Sequence, residues 1–383
     1  MELTKIFFAA VILITVSPVS GHTEVIPGPH SLAVIPGPES LAVIPGPIGN
    51  LSKEAAPDST ARADSSVVEE VSPFDVMPEG PSSRLSASAL RESVEILCDP
   101  IFAGRAAGTD GARYAAQWIR DMFELAGLMP YEENWYHDFS LGSSGAGVAS
   151  GAASGSASGR GRNIVGYLPG KSGKWIVIGA YYDGLGVIGD KVYPGADSNG
   201  SGVAALIAVA NAVRRDCQDG LIFVAFDARS RGYLGARHML SELRASGHDV
   251  RLMVSLDILG STLAPVSKRN PRSLMALGGK PYSKTLRKCA SLGQLDLHFD
   301  YYKSENFTNL FYNKIGDQTV FMKAGIPSVV FTSGVTLNTN KVTDTPETLD
   351  YESLRARVLC ISRWLSLTAS ASAPASASAS ASR

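Results

Sequence analysis

The sequence predicts an α/β domain built on a mostly parallel central sheet with helices on both faces. Two observations carry this. Short apolar runs of strand length recur at Asn163–Leu168, Trp175–Tyr181, Leu221–Phe226, Leu252–Leu256, Leu274–Leu277 and Ser328–Phe331. Helical segments at Gly202–Arg214, Leu234–Ala245, Ser283–Leu292 and Thr319–Ala324 separate several of them. Strands that alternate with helices pair in parallel and are covered on both sides.

Before that alternation the chain reads differently. Lys5 and the apolar run Ile6 to Val16, followed by the small residues Val19-Ser20-Gly21, have the pattern of an export signal over residues 1–21. The run is too short for a membrane span, which needs roughly 20 apolar residues. An exported protein, periplasmic, cell-surface or extracellular, with no transmembrane segment in its mature form is expected. Residues 22–84 form a linker that begins with a repeat, VIPGPxSLA, at Val25, Val34 and Val43. Closely spaced prolines block helix and ladder pairing, so this reads as an extended spacer, with peptide docking by its Pro-Gly-Pro units as the alternative.

The folded domain is expected over 85–367. Helices are predicted over Leu85–Cys98 and Asp110–Leu125, the second with Tyr114, Trp118, Met122 and Ala126 on one face and Gly127 at its end. Residues 142–159 are nearly all Gly, Ser and Ala and predict a flexible loop, and the Ala/Ser alternation over 368–383 predicts a disordered tail.

Composition excludes some functions. With 35 basic and 36 acidic side chains the formal charge is −1, and no Lys or Arg block marks a nucleic-acid or anionic-membrane surface. Cys98, Cys217, Cys289 and Cys360 share no metal-ligand spacing and are expected to be free buried thiols. Of the His residues, only His298, beside Asp296 and Asp300, merits scrutiny as a metal ligand.

Chemistry is expected in the loops after the strands, where α/β sheets gather functional residues. Asp183 follows Trp175–Tyr181, and Pro194-Gly-Ala-Asp197 opens the next helix. Asp227 precedes Arg229 and Ser230, and Ser255-Leu-Asp257-Ile-Leu-Gly260 ends a further strand. Carboxylates converging at one rim of a sheet commonly build oxygen-rich metal sites.

These blocks, with Phe102-Ala-Gly-Arg-Ala-Ala-Gly-Thr109 before them and Lys323-Ala-Gly-Ile-Pro327 and Asp344-Thr-Pro-Glu-Thr-Leu-Asp350 after them, occur in the order of one family. From about Leu85 to Trp364 the chain resembles the co-catalytic zinc aminopeptidases, the family of bacterial leucyl aminopeptidases, glutaminyl cyclases and glutamate carboxypeptidase. The resemblance implies a zinc-exopeptidase-like three-layer sandwich. It also implies two zinc ions and a general base, and here the chain departs from the pattern. Asp197 matches the bridging carboxylate and Asp257 the retained Asp ligand. Tyr181, Ser230 and Asn340 stand where the family has its remaining ligands, and Arg229 stands where it has the base. Asp183 matches the supporting Asp, and Gln318 replaces a nearby His.

The replacements have chemical consequences. Zinc prefers imidazole, thiolate and carboxylate, and a hydroxyl, an amide or a protonated phenol is a poor substitute. Arg carries no lone pair to accept a proton from water, so general-base catalysis, worth roughly 10²–10⁴-fold, is lost. The expectation is a catalytically inactive homologue that binds a peptide or an exported protein and needs no cofactor. The alternative is an active metallo-exopeptidase with zinc, or Ca²⁺ or Mg²⁺ on Asp197 and Asp257. If no ion is bound, either Arg229 neutralises the two aspartates or both cap turns. Ser198 and Ser230 lack the surroundings of a nucleophile. The aromatic segment Asp300–Tyr312 corresponds either to the wall of the family's substrate pocket or to ordinary packing.

Overall fold

In the computed structural model, which describes residues 85–142, 159–267 and 270–371, a mixed sheet forms the frame. In chain order the elements are α1 (Ala87–Leu97), α2 (Asp110–Leu125), β1 (Met129–Pro130), β2 (Tyr136–Ser140), β3 (Arg160–Leu168), β4 (Lys174–Tyr181), β5 (Gly186–Ile188), β6 (Lys191–Tyr193), α3 (Ser201–Ala212), β7 (Gly220–Phe226), α4 (Leu234–Ala245), β8 (Asp249–Leu256), β9 (Ser273–Leu277), α5 (Ser283–Leu292), β10 (Asp296–His298), α6 (Glu305–Thr308), α7 (Gln318–Lys323), β11 (Ser328–Thr332) and α8 (Tyr351–Ser370). The export signal, the repeat and linker, most of the Gly/Ser/Ala loop and most of the Ala/Ser stretch lie outside the described residues. No helix among the described residues is long and apolar enough to cross a membrane.

Hydrogen-bonded neighbours run β1-β3-β7-β4-β8-β11-β9-β10, with β2 also on β3. The central strands β7, β4, β8 and β11 are parallel, as are β9 and β10. The pairs β3–β7 and β9–β11 are antiparallel, so parallel pairing is concentrated at the centre of the sheet. In register, Tyr181 lies beside Phe226 and Leu256 beside Phe331. Parallel strands end at the same rim, so the loops carrying Asp183, Arg229 and Asp257 emerge together.

Each face of the sheet is covered. Val165, Val177, Ile222, Val224 and Met253 pack on Ala236, Met239, Leu240 and Leu243 of α4 and Phe321 of α7. Alternation along the strands turns Ile176, Ile178, Phe223 and Val254, all buried, to the opposite face. There α3 is buried on all sides from Ser201 to Ala210, because α1, α2 and α8 pack over it.

One buried face and one boundary differ from the sequence reading. Helix α2 buries Ala112, Ala115, Ala116, Ile119 and Phe123, while Tyr114 is exposed and Trp118 and Met122 are half-buried. Small alanines let the helix approach closely, and the larger residues fall at its edge. At the carboxyl end, α8 runs through Ser370 rather than giving way to a tail at 368. Ala369 is fully buried, and its carbonyl accepts from the Gln218 and Asp219 amides.

Candidate functional site

The loop Pro194-Gly-Ala-Asp197 is held from both sides. Arg105, at the end of the Phe102–Thr109 block, is buried. Its guanidinium donates to the carbonyls of Tyr182 (3.0 Å), Pro194 (2.8 Å), Gly195 (3.0 Å) and Leu97. Gly195 has φ 60°, and a Cβ there would lie 2.8 Å from the Ser198 carbonyl, so the turn excludes larger residues. Asp344, opening the late Asp-Thr block, accepts from the amides of Asp197 (2.7 Å) and Ser198 (3.0 Å) and from Ser198 Oγ (2.5 Å). Ser198 is thereby committed to a buried carboxylate.

Asp197 uses its own carboxylate structurally. Oδ1 accepts from Ser201 Oγ (2.9 Å) and the Gly260 amide (2.7 Å), and Oδ2 from the Ser261 amide (3.1 Å). Burial, helped by nearby Asp344, raises its pKa to about 6 against these bonds. The side chain ties the loop after β8 to the start of α3.

Asp257 has a different partner. Its Oδ2 accepts from Arg229 Nη2 at 3.2 Å, and the Arg229 guanidinium carbon sits 4.2 Å from the centre of the Tyr181 ring. Arg229 lies in a single helical turn, Arg229–Arg231, entered through Ala228 at φ 57°. Its amide donates to Asp183 Oδ1 at 3.0 Å. Burial opposes its charge, but Tyr181, Asp257 and Asp317 outweigh burial and keep it protonated. The two proposed fates of the retained aspartates are therefore divided between them. Asp257 pairs with Arg229, and Asp197 fastens a turn.

Around this cation stand further acids. Burial raises Asp183 to about 6, although the Arg229 amide and charge pull it down. Burial raises Asp317 to about 7, again opposed by Arg229. Burial and the charge of Asp183 raise Asp227 to about 7. Asp257 Oδ1, Asp317 Oδ1 and Arg229 Nε are buried with no hydrogen-bond partner among the described residues. Asp317 was legible in the sequence only as part of Gly316-Asp317-Gln318, and its burial comes from the fold.

The other matched positions separate. Asn340, at φ 60°, lines the pocket, and its amide donates to Ser198 Oγ at 3.4 Å. Ser230 is exposed and does not line the pocket. Gln318 turns its Nε2 to the carbonyls of Phe311, Tyr312 and Ile315, closing the turn before α7. His298 is on β10 with its ring 2.9 Å from Asp296 and does not line the pocket. All four cysteines are free thiols, Cys98 half-buried and the others buried.

Tyr181, Arg229, Asp257 and Asn340 form the polar end of a cavity of about 50 Å³, room for a few waters at roughly 10–15 Å³ each. Leu277, Tyr301, Phe311, Ile315, Val330 and Val335 line the rest. Tyr301 stacks on Phe311 with ring centres 4.1 Å apart, and its hydroxyl accepts from the Val335 amide at 2.7 Å. The aromatic segment thus packs internally and also presents a face to the cavity.

The donor set does not suit zinc. A guanidinium and a phenol ring occupy the polar end, Asp197 is engaged by three donors, and Asp257 is paired with a cation. Among the described residues no group of three or more His, Cys, Asp or Glu side chains is arranged to hold a metal ion.

Comparison with known proteins agrees with the frame. Leucine aminopeptidase 1 of Fusarium vanettenii is 27% identical over 121 residues, covering 29% of this chain and 31% of that protein. The match thus spans under a third of that curated relative's length. The Bacillus subtilis zinc aminopeptidase BSAP is similar in fold, with TM-score 0.56 and 14% identity, over 74% of this chain and 95% of that one. So is Fimbriiglobus ruber glutaminyl cyclase, with TM-score 0.56 and 16% identity over the same shares. The model of Peptidase family M28 matches residues 163–364, just over half of the chain and all of the strand-end loops described above. This chain is a member of peptidase family M28.

Proposed function

We propose that this M28 homologue is exported and binds a peptide or another exported protein in the Tyr181–Arg229–Asp257 pocket without hydrolysing it. The observation that carries this is the placement of Arg229. Its guanidinium is bonded to Asp257 and stacked on Tyr181, and in the sequence resemblance Arg229 occupies the position of the family's general base, where hydrolysis needs a proton acceptor. The positive charge also satisfies Asp257 in place of a metal ion.

What remains is a small cavity, mainly apolar with a few convergent polar groups, which is the usual make-up of a binding site. The aminopeptidase names of the relatives support a peptide as its occupant. The Lys5-to-Gly21 pattern supports export, which intact-mass measurement of protein recovered outside the cytoplasm tests directly.

The decisive test combines metal analysis of the purified full-length chain with hydrolysis of an aminoacyl anilide, with and without added zinc. Sub-stoichiometric metal and background turnover are expected. Stoichiometric zinc together with chelator-sensitive turnover would instead establish an active metallo-exopeptidase.

A further inference from the structure

A second cavity lies beside the pocket on the outside of α4 and α7. Arg237 and Arg244 of α4, Lys314 at the end of the 309–314 turn, and Lys323 at the end of α7 converge on a groove of about 410 Å³. The sequence separates these residues by up to 86 positions, so no basic block announces them. All four are exposed, no Asp or Glu lines the groove, and none of them makes an ion pair among the described residues. Arg237 Nε donates to the Gly232 carbonyl at 2.8 Å, which steadies that side chain along the groove wall.

We propose that this groove is a binding site for an acidic peptide segment. Uncompensated cations in a concave site focus a positive potential that like-charged ligands cannot enter and carboxylates can. Leu240, Val320 and Ala324 give the groove an apolar floor, which suits the aliphatic and aromatic side chains between the acids of a peptide. A nucleic-acid track needs a longer run of cations, and the chain as a whole has a formal charge of −1.

The groove and the pocket share walls. Lys314 lines the groove and its neighbour Ile315 lines the pocket. Tyr233 lines the groove, and its hydroxyl accepts from the Gly316 amide at 3.0 Å. An extended chain that puts one end or one side chain into the pocket can therefore lay its acidic residues along the groove. This specificity rests on the peptide-binding reading given above.

The test uses full-length protein and two fluorescein-labelled peptides of equal length, one alternating Glu and Leu, the other Gln and Leu. Anisotropy is read at low and at physiological salt. The acidic peptide should bind about tenfold more tightly at low salt, with the gap narrowing as salt rises. Lys314→Glu/Lys323→Glu and Arg237→Glu/Arg244→Glu should each weaken the acidic peptide by about tenfold and leave the Gln peptide unchanged. The neutral pair Lys314→Gln/Lys323→Gln, of similar side-chain length, should show a smaller loss, and unchanged melting temperatures verify folding.

Equal affinity for the two peptides, or indifference to the charge reversals, overturns the groove proposal alone. Failure of both peptides to bind overturns the peptide-binding reading and this proposal together. An oligonucleotide that displaces the acidic peptide at equal charge concentration would overturn the assignment of peptide as the ligand class.

Discussion

Arg229 lies over the face of Tyr181, its guanidinium carbon 4.2 Å from the ring centre, and in that pose one nitrogen reaches Asp257. The phenol ring therefore fixes the direction of the charge, and Asp257 and Asp317 depend on it for compensation. Arg229→Gln should destabilise the protein by about 1–3 kcal/mol, less than for a fully buried pair because both side chains keep some exposure. Urea unfolding of Arg229→Gln, Asp257→Asn and the double variant measures the coupling. A cycle that closes additively would show that the contact contributes nothing.

Restoring a carboxylate alone should not restore chemistry. Arg229→Glu leaves Tyr181 and Asn340 without imidazole donors and Asp197 bonded to Ser201, Gly260 and Ser261. Aminoacyl anilide hydrolysis by this variant with added zinc should stay at background, and turnover above it would mean that the site tolerates metal better than its donors imply.

The buried acids set an unusual dependence of stability on pH. Burial raises Asp183 and Asp197 to about 6 and Asp227 and Asp317 to about 7 in the fold, above the ordinary range of an aspartate. A carboxyl with a raised folded pKa binds protons in the native state that the unfolded state has lost. Its contribution is complete below the unfolded pKa and disappears as pH rises through the folded one. His137, raised by Glu242 against burial, acts in the same direction. Asp138, lowered chiefly by Arg162, acts oppositely and loses its contribution in stronger acid. Melting temperature should therefore be higher at pH 5 than at pH 8, and a flat or rising profile between them would contradict these assignments.

Arg105 fastens the Pro194–Asp197 turn through the carbonyls of Tyr182, Pro194 and Gly195. Arg105→Leu strands these buried acceptors and should cost at least about 3 kcal/mol, since each unsatisfied group costs roughly 1–3 kcal/mol. Amide exchange should accelerate first at Asp197 and Ser198, whose N–H groups depend on the turn to meet Asp344.

The thiols should be inert in the native state. Burial pushes Cys98 and Cys289 up to about 11 and raises Cys217 and Cys360 as well, so little thiolate exists at neutral pH. A thiol reagent should react with all four cysteines only after denaturation.

By itself the sequence determined the alternation of strands and helices, the family, and the position of Asp183, Asp197, Arg229 and Asp257 in loops after strands, because those depend on local periodicity and motif order. Boundaries that rest on long-range burial were not legible. The Ala/Ser-rich end of α8 reads as tail until Ala369 is seen capping the Gln218 and Asp219 amides. The short edge strands β5, β6 and β10 have no apolar run to betray them. Only the tertiary structure decided what the retained aspartates do. A carboxylate is satisfied by whichever donor the fold brings within 3 Å or so, and here that is a backbone turn for Asp197 and a guanidinium for Asp257. It likewise gathered Arg237, Arg244, Lys314 and Lys323 into one groove, since charge density depends on distance in space and not along the chain.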